Sequence, residues 1–310
     1  MPRFSHVAAA VLCLALGSSA VFAQTTYSEA MKQGTSLRAS NAEGAIKAAE
    51  EAVKLAANVD QKAQAYQLIA LIHQTHRQND QAVAALEQAL ALENLPAGRR
   101  SSVLNGLGAA YLVAGNVDKG RETLNTLIAD ENATAVFRTR AQIALANSYV
   151  TIRDQRDPAK ARELLLAVEK LPYAPVNDKA DARHALAALE ASEKNFDEAL
   201  AILTDLQKQE NLPPVNRARY RITLGNTYRQ AGQLDKALEA FQAILDDEAA
   251  TPSYKQSGYT GLATVYMQQK DYANAKKAYE ALINHPGTPA STIKNAKAAL
   301  ERIEKLQAAQ

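Results

Sequence analysis

Tryptophan is absent from the 310 residues, and cysteine occurs once, as Cys13. A chain with one thiol closes no internal disulfide and assembles no multi-cysteine zinc site. Aromatic residues make up only 5% of the chain. With alanine abundant, that scarcity favours helices with small contact positions over an aromatic-rich sheet core. Neither charge sign dominates: the formal balance is +2, so no strong field points to nucleic acid or anionic lipid, and no nucleic-acid partner is expected. Beyond the first residues no apolar run is long enough to span a bilayer. Gly-rich phosphate loops and Gly-x-Ser-x-Gly elbows are missing too.

The N-terminus has the layout of a secretory signal. Arg3 supplies charge, Val7 to Leu16 form a short apolar run, and Val21-Phe22-Ala23 offers a small-residue cleavage site before Gln24. Leu12 precedes Cys13, which disfavours lipid attachment. Cleavage would leave a cysteine-free protein held by packing alone, and a bacterial periplasm is the expected location. Asn132-Ala133-Thr134 would be a glycosylation acceptor only in a eukaryotic secretory route, and it reads here as a chance triplet.

What the chain does have is self-similarity. Leu107-Gly108-x-x-Tyr111 recurs as Leu145-Ala146-x-x-Tyr149, Leu224-Gly225-x-x-Tyr228 and Leu262-Ala263-x-x-Tyr266, with variants at Ile69-Ala70-x-x-His73 and Leu186-Ala187. The step is 38 residues except once, where it is 41, and the three extra residues fall between Thr151 and Pro158. Downstream, a small residue recurs at Ala82, Gly120, Ala161, Ala199, Ala237 and Ala275. Four residues later stands a large apolar one: Leu86, Leu124, Leu165, Leu203, Phe241 and Tyr279. Spacings of three and four put each set on one helical face. Asn116, Asp157, Asn195 and Asp271 stand where they would cap the second helix. Each unit is thus two antiparallel helices that cannot bury their stripes alone, so neighbours must stack.

These columns resemble the tetratricopeptide repeat, from about Val59 to Pro286. The unit is longer than the usual ~34 residues, with the surplus in linkers such as Asn94 to Gly98 and Asn211 to Val215. Arg183 and Arg221 occupy a first-helix column where an aromatic is frequent, while Tyr66 and Tyr259 conform. Glu190 replaces the family tyrosine, which suggests looser packing in that unit. The expected fold is all-α: an α–α superhelix with capping helices at both ends. The expected division is a signal at 1–23, a degenerate capping pair over 24–58, six repeats over 59–288 and a closing helix over 289–310. Ile293, Ala296, Leu300 and Ile303 should face the last pair, with Lys294, Lys297, Glu301 and Glu304 outward.

Catalytic constellations are lacking, so no enzyme activity and no cofactor are expected. His73 and His76 share a helix face without a carboxylate or thiol to complete a metal site; His73 reads as a ring in the tyrosine column. A basic residue opens every unit (Lys62, Arg100, Arg138, Lys179, Arg217, Lys255), and Glu93, Glu131, Glu210 and Glu248 precede four of them by seven, which suggests linker ion pairs. In the resembled family the first helices line a groove for peptide. Projected here, that groove includes Gln67, Asn105, Arg140, Asn147, Asp181, His184, Arg219, Asn226 and Arg229. Asn147 and Asn226 fall where members pair an amide with ligand backbone, and an amide both donates and accepts. Leu71 and Ala109 fill the same column in the early units, so the family's carboxylate clamp is not expected. The resemblance implies a non-catalytic scaffold or adaptor that binds a protein or peptide, and the signal-like N-terminus puts the expected place of action in the bacterial cell envelope. The alternatives are a structural subunit using its convex face and an enzyme's accessory domain.

Overall fold

A computed structural model describes residues 26–209 and 212–308. The signal segment, Cys13, Glu210 and Asn211 lie outside the described residues. Fifteen α-helices follow one another, with no strand among the described residues. Seven antiparallel pairs are α1 (Tyr27–Leu37) with α2 (Ala42–Leu55), α3 (Val59–Thr75) with α4 (Asn79–Leu90), α5 (Ala97–Val113) with α6 (Val117–Ala129), α7 (Ala135–Thr151) with α8 (Pro158–Glu169), α9 (Val176–Ser192) with α10 (Phe196–Gln207), α11 (Pro214–Gln230) with α12 (Leu234–Leu245), and α13 (Pro252–Gln269) with α14 (Tyr272–Asn284). The last helix, α15 (Ala290–Ala308), closes the array. It buries Ala296 and Ile303 and half-buries Ile293 and Leu300, while Lys294, Lys297, Glu301 and Glu304 face solvent, as the pattern requires.

One turn is repeated inside the pairs. In five of the seven pairs the chain leaves the first helix through a left-handed residue, at Arg77, Gly115, Lys194, Gly232 and Lys270. The next amide then bonds back to the carbonyl of the tyrosine-column residue: Gln78 to His73, Asn116 to Tyr111, Asn195 to Glu190, Gln233 to Tyr228 and Asp271 to Tyr266, all at 2.8–2.9 Å. The unit with three extra residues keeps the same bond. Its surplus forms a 3₁₀ turn, Arg153–Gln155, after which the Asp157 amide returns to the Tyr149 carbonyl at 2.8 Å. Arg121 pins that excursion by donating to the carbonyl and side chain of Gln155. Of the four expected caps, Asp157 and Asp271 accept an N3 amide, whereas Asn116 and Asn195 do not. Asn195 is diverted to Glu190.

The core is a continuous seam. Leu86, Leu124, Leu165, Leu203 and Phe241 are each 3% exposed or less, sandwiched between their own first helix and the next. First helices touch along the row (α3–α5, α5–α7, α7–α9, α9–α11, α11–α13), while no comparable contact among the described residues joins successive second helices. The first helices are therefore the inner, concave wall.

Glu190 corrects the expectation of loose packing. It is fully buried, and Arg162 grips both its oxygens at 2.6 and 2.9 Å while Asn195 donates at 2.7 Å. Arg162 holds the Glu190 carboxyl below the usual carboxylate range. The equivalent arginine one unit earlier, Arg121, lies 3.8 Å from the Tyr149 ring centroid, and Tyr149 is the counterpart of Glu190. One basic column thus meets either a ring face or a carboxylate. The linker ion pairs are a second correction: none of Glu93, Glu131 or Glu248 pairs with its basic residue. Arg138 and Lys179 instead donate to the last carbonyls of the preceding second helix, Ile128 and Glu169, where the helix dipole favours a cation. Arg217 pairs with Asp247 at 2.8 Å. Arg183 and Arg221, in the aromatic column, reach Asp205 and Asp247.

Candidate functional site

The inner wall carries most of the polar residues projected into the groove, and many are already engaged. Between α3 and α5, Arg99 straddles Asp60 at 2.7 and 3.2 Å and donates to Gln67 at 2.9 Å. Gln67 in turn donates to Ser102 at 3.0 Å, which leaves it little to offer a ligand. Between α9 and α11, Asp181 accepts from Arg219 and from the Tyr220 hydroxyl. Burial and that carboxylate raise the Tyr220 phenol well above its ordinary range. His184 stacks on Tyr220 with centroids 4.7 Å apart and shares a 2.8 Å hydrogen bond with Thr223. Burial, aided by Arg219, lowers its pKa to about 4, so the ring is neutral at pH 7.

That shift has a sign. An unfolded histidine titrates near ~6.5. Between that value and about 4 the unfolded chain binds the extra proton, so stability rises with pH. The contribution is complete above ~6.5 and fades as pH falls toward 4. His184→Gln is expected to flatten this part of the pH profile by roughly 2 kcal/mol, read from thermal unfolding between pH 7 and 4.5. A variant whose profile parallels the wild type would rule the ring out as the source.

Other groove residues are not spent. Asn147 and Asn226 have no side-chain hydrogen bond among the described residues, and the buried Asn105 Oδ1 and Arg229 Nε have no partner. Asn147, Asn226 and Arg229 border two hollows. One, of about 340 Å³, lies between α7, α9 and α11 and is lined by Arg140, Asn147, Asp178, Asp181, His184 and Arg219, with Ile143, Ala144 and Ala185 as its apolar wall. The second, of about 510 Å³, lies between α11, α13 and the start of α15. Asn226, Arg229, Ile222 and the hydroxyls of Ser257, Thr260 and Thr264 line it. Those hydroxyls donate to carbonyls one turn back, so their free lone pairs act as acceptors. Asp178, Tyr220 and Thr223 were not foreseen as groove residues. Asp178 was discoverable as the residue one helical turn before Asp181, flanked in space by Arg140.

No group of metal-ligating side chains occurs among the described residues: His73 meets Gln78 at 2.7 Å and His76 meets the Arg38 carbonyl at 2.8 Å. No described helix is long and apolar enough to cross a membrane.

The family model for the tetratricopeptide repeat matches residues 68–135 and 222–292. No curated relative matches the sequence. Among solved structures, a tetratricopeptide repeat protein from Parabacteroides merdae is 14% identical, with 90% of this chain and 98% of that one covered at a TM-score of 0.58. BtubC from P. vanneervenii is 17% identical over 72% of this chain and 94% of its own, at 0.51. The human IFIT1 dimer with PPP-AAAA is 20% identical over 91% of this chain and 63% of its own, at 0.56. At these identities the likeness is one of fold. The repeated helix pairs, their recurring turn bond and the two matched stretches together make this protein a solenoid of tetratricopeptide-like repeats.

Proposed function

We propose that the protein is a non-catalytic adaptor of the cell envelope that holds an extended segment of a partner protein along its concave groove. The fold is that of a protein-interaction scaffold. The observation that carries the groove reading is the contrast along the inner wall. Gln67 and Arg219 are consumed in bracing neighbouring helices, whereas Asn147, Asn226 and Arg229 face hollows with their hydrogen-bonding groups unspent. A side-chain amide matches a peptide bond in both directions, and an unpaired guanidinium matches a carbonyl or carboxylate. Export rests on the signal-like N-terminus alone.

A photoreactive residue at Ala188, on the exposed inner wall, should yield adducts in the native envelope, and one at Ala84 on the outer side should not. Asn147→Ala/Asn226→Ala/Arg229→Ala should cut the inner adducts by about tenfold or more while helical content is unchanged, since each lost hydrogen bond is worth roughly 0.5–1.5 kcal/mol. Adducts from Ala84 alone would transfer the contact to the convex face.

A further inference from the structure

Asp178 is an unusual tenant of the inner wall. It stands in the first turn of α9, where the exposed amides tolerate a negative charge, yet its side chain is only 6% exposed. Its Oδ1 has a single protein partner among the described residues, the Arg140 Nε at a long 3.5 Å. Its Oδ2 is buried with none. A buried carboxylate oxygen without a donor carries a desolvation cost that a bound donor would recover. The other donors around the hollow do not answer the demand. Arg219 is committed to Asp181, and His184 is held by Thr223. Arg140 is half-exposed and loosely held. Asn147 lines the same hollow with an amide oxygen, and Ile143, Ala144 and Ala185 form an apolar wall. A buried acceptor beside a short alkyl surface is the complement of an ammonium on a methylene stem.

We propose that the hollow between α7, α9 and α11 is a seat for a primary ammonium carried on an alkyl chain, with Asp178 as its anchor and Arg140 as the internal cation it displaces. The inference rests on the groove reading insofar as the ammonium belongs to a lysine of the bound segment; a free alkyl diamine presents the same chemistry.

The test titrates full-length protein with Nα-acetyl-lysine amide, Nα-acetyl-norleucine amide and 1,5-diaminopentane, following backbone amide resonances. The blocked lysine should shift residues around Arg140, Asn147, Asp178 and His184, and the isosteric norleucine should not. Asp178→Asn, which keeps the shape, should weaken lysine binding by about tenfold or more, the size of one charge-assisted hydrogen bond. Arg140→Gln should strengthen it by removing the competitor, an opposite sign that general damage to the fold cannot produce. Equal shifts from lysine and norleucine, or unchanged binding in Asp178→Asn, would overturn the seat. Groove adducts at Ala188 that persist in that case would leave the adaptor reading standing. Lysine shifts without any groove adduct would support the seat and reject the peptide, and tighter binding of the diamine would name a small amine as its source.

Discussion

Arg162→Ala is expected to destabilise the solenoid by about 3–5 kcal/mol, far more than the ~0–1 kcal/mol of an exposed ion pair. The reason is the residue left behind. Glu190 is fully buried, and without Arg162 only Asn195 would still donate to its carboxylate. The loss should be concentrated in the α8–α9 junction, so amide hydrogen exchange in α9 is the sharper readout, because repeat arrays need not unfold as one unit. Glu190→Tyr in the wild-type background should be tolerated much better, since Arg121 already stacks on Tyr149 at the matching position. An Arg162→Ala variant that lost no more than ~1 kcal/mol would show that the buried carboxylate finds other partners or takes up a proton at little cost.

Phe241→Ala should cost a comparable ~3–5 kcal/mol, the range for truncating a fully buried ring. Phe241 is 1% exposed and is the only phenylalanine in a column otherwise filled by Leu86, Leu124, Leu165, Leu203 and Tyr279. Its ring is accommodated by two glycines on the flanking first helices. A methyl group at Gly225 would stand 2.9 Å from the ring and one at Gly261 only 2.4 Å. Gly261→Ala should therefore be destabilising by ~1–3 kcal/mol despite the ~1 kcal/mol by which alanine is favoured in a helix. The pair should couple: Phe241→Leu/Gly261→Ala should lose less than the sum of its parts in denaturant unfolding. Strict additivity would mean that the ring moves aside freely.

Much of this fold was legible because a repeat is measured against itself. The columns beginning at Leu107, Leu145, Leu224 and Leu262 located the helix pairs, and the surplus between Thr151 and Pro158 emerged as a local 3₁₀ turn. The misreading of Glu190 shows where a column fails when taken alone. Its meaning lay in Arg162, 28 residues earlier and in the next helix across, where the tyrosine column and the basic column meet. The site was less legible for a related reason. Projection named the residues on the inner wall, but whether one is free depends on its neighbour across the seam. Arg219 reaches back to Asp181 in the preceding unit, whereas Arg140, in the same column, reaches forward to Asp178 in the following one, a reversal that no column records. Gln67 was likewise absorbed by Arg99 and Ser102, from a unit with a different spacing of polar groups.

The bracing of the inner wall is uneven, and that sets where the array can flex. Side-chain hydrogen bonds tie α3 to α5, α7 to α9 and α9 to α11, but none among the described residues ties α11 to α13. Successive second helices do not grip one another, so the outer side resists bending little. The α11–α13 joint is therefore held by apolar packing, with Phe241 wedged between Gly225 and Gly261, rather than by polar ties along the inner wall. Asn226 and the hydroxyls of α13 line the hollow at that joint, so a ligand bridging them would add the polar tie between α11 and α13 that the chain itself does not make.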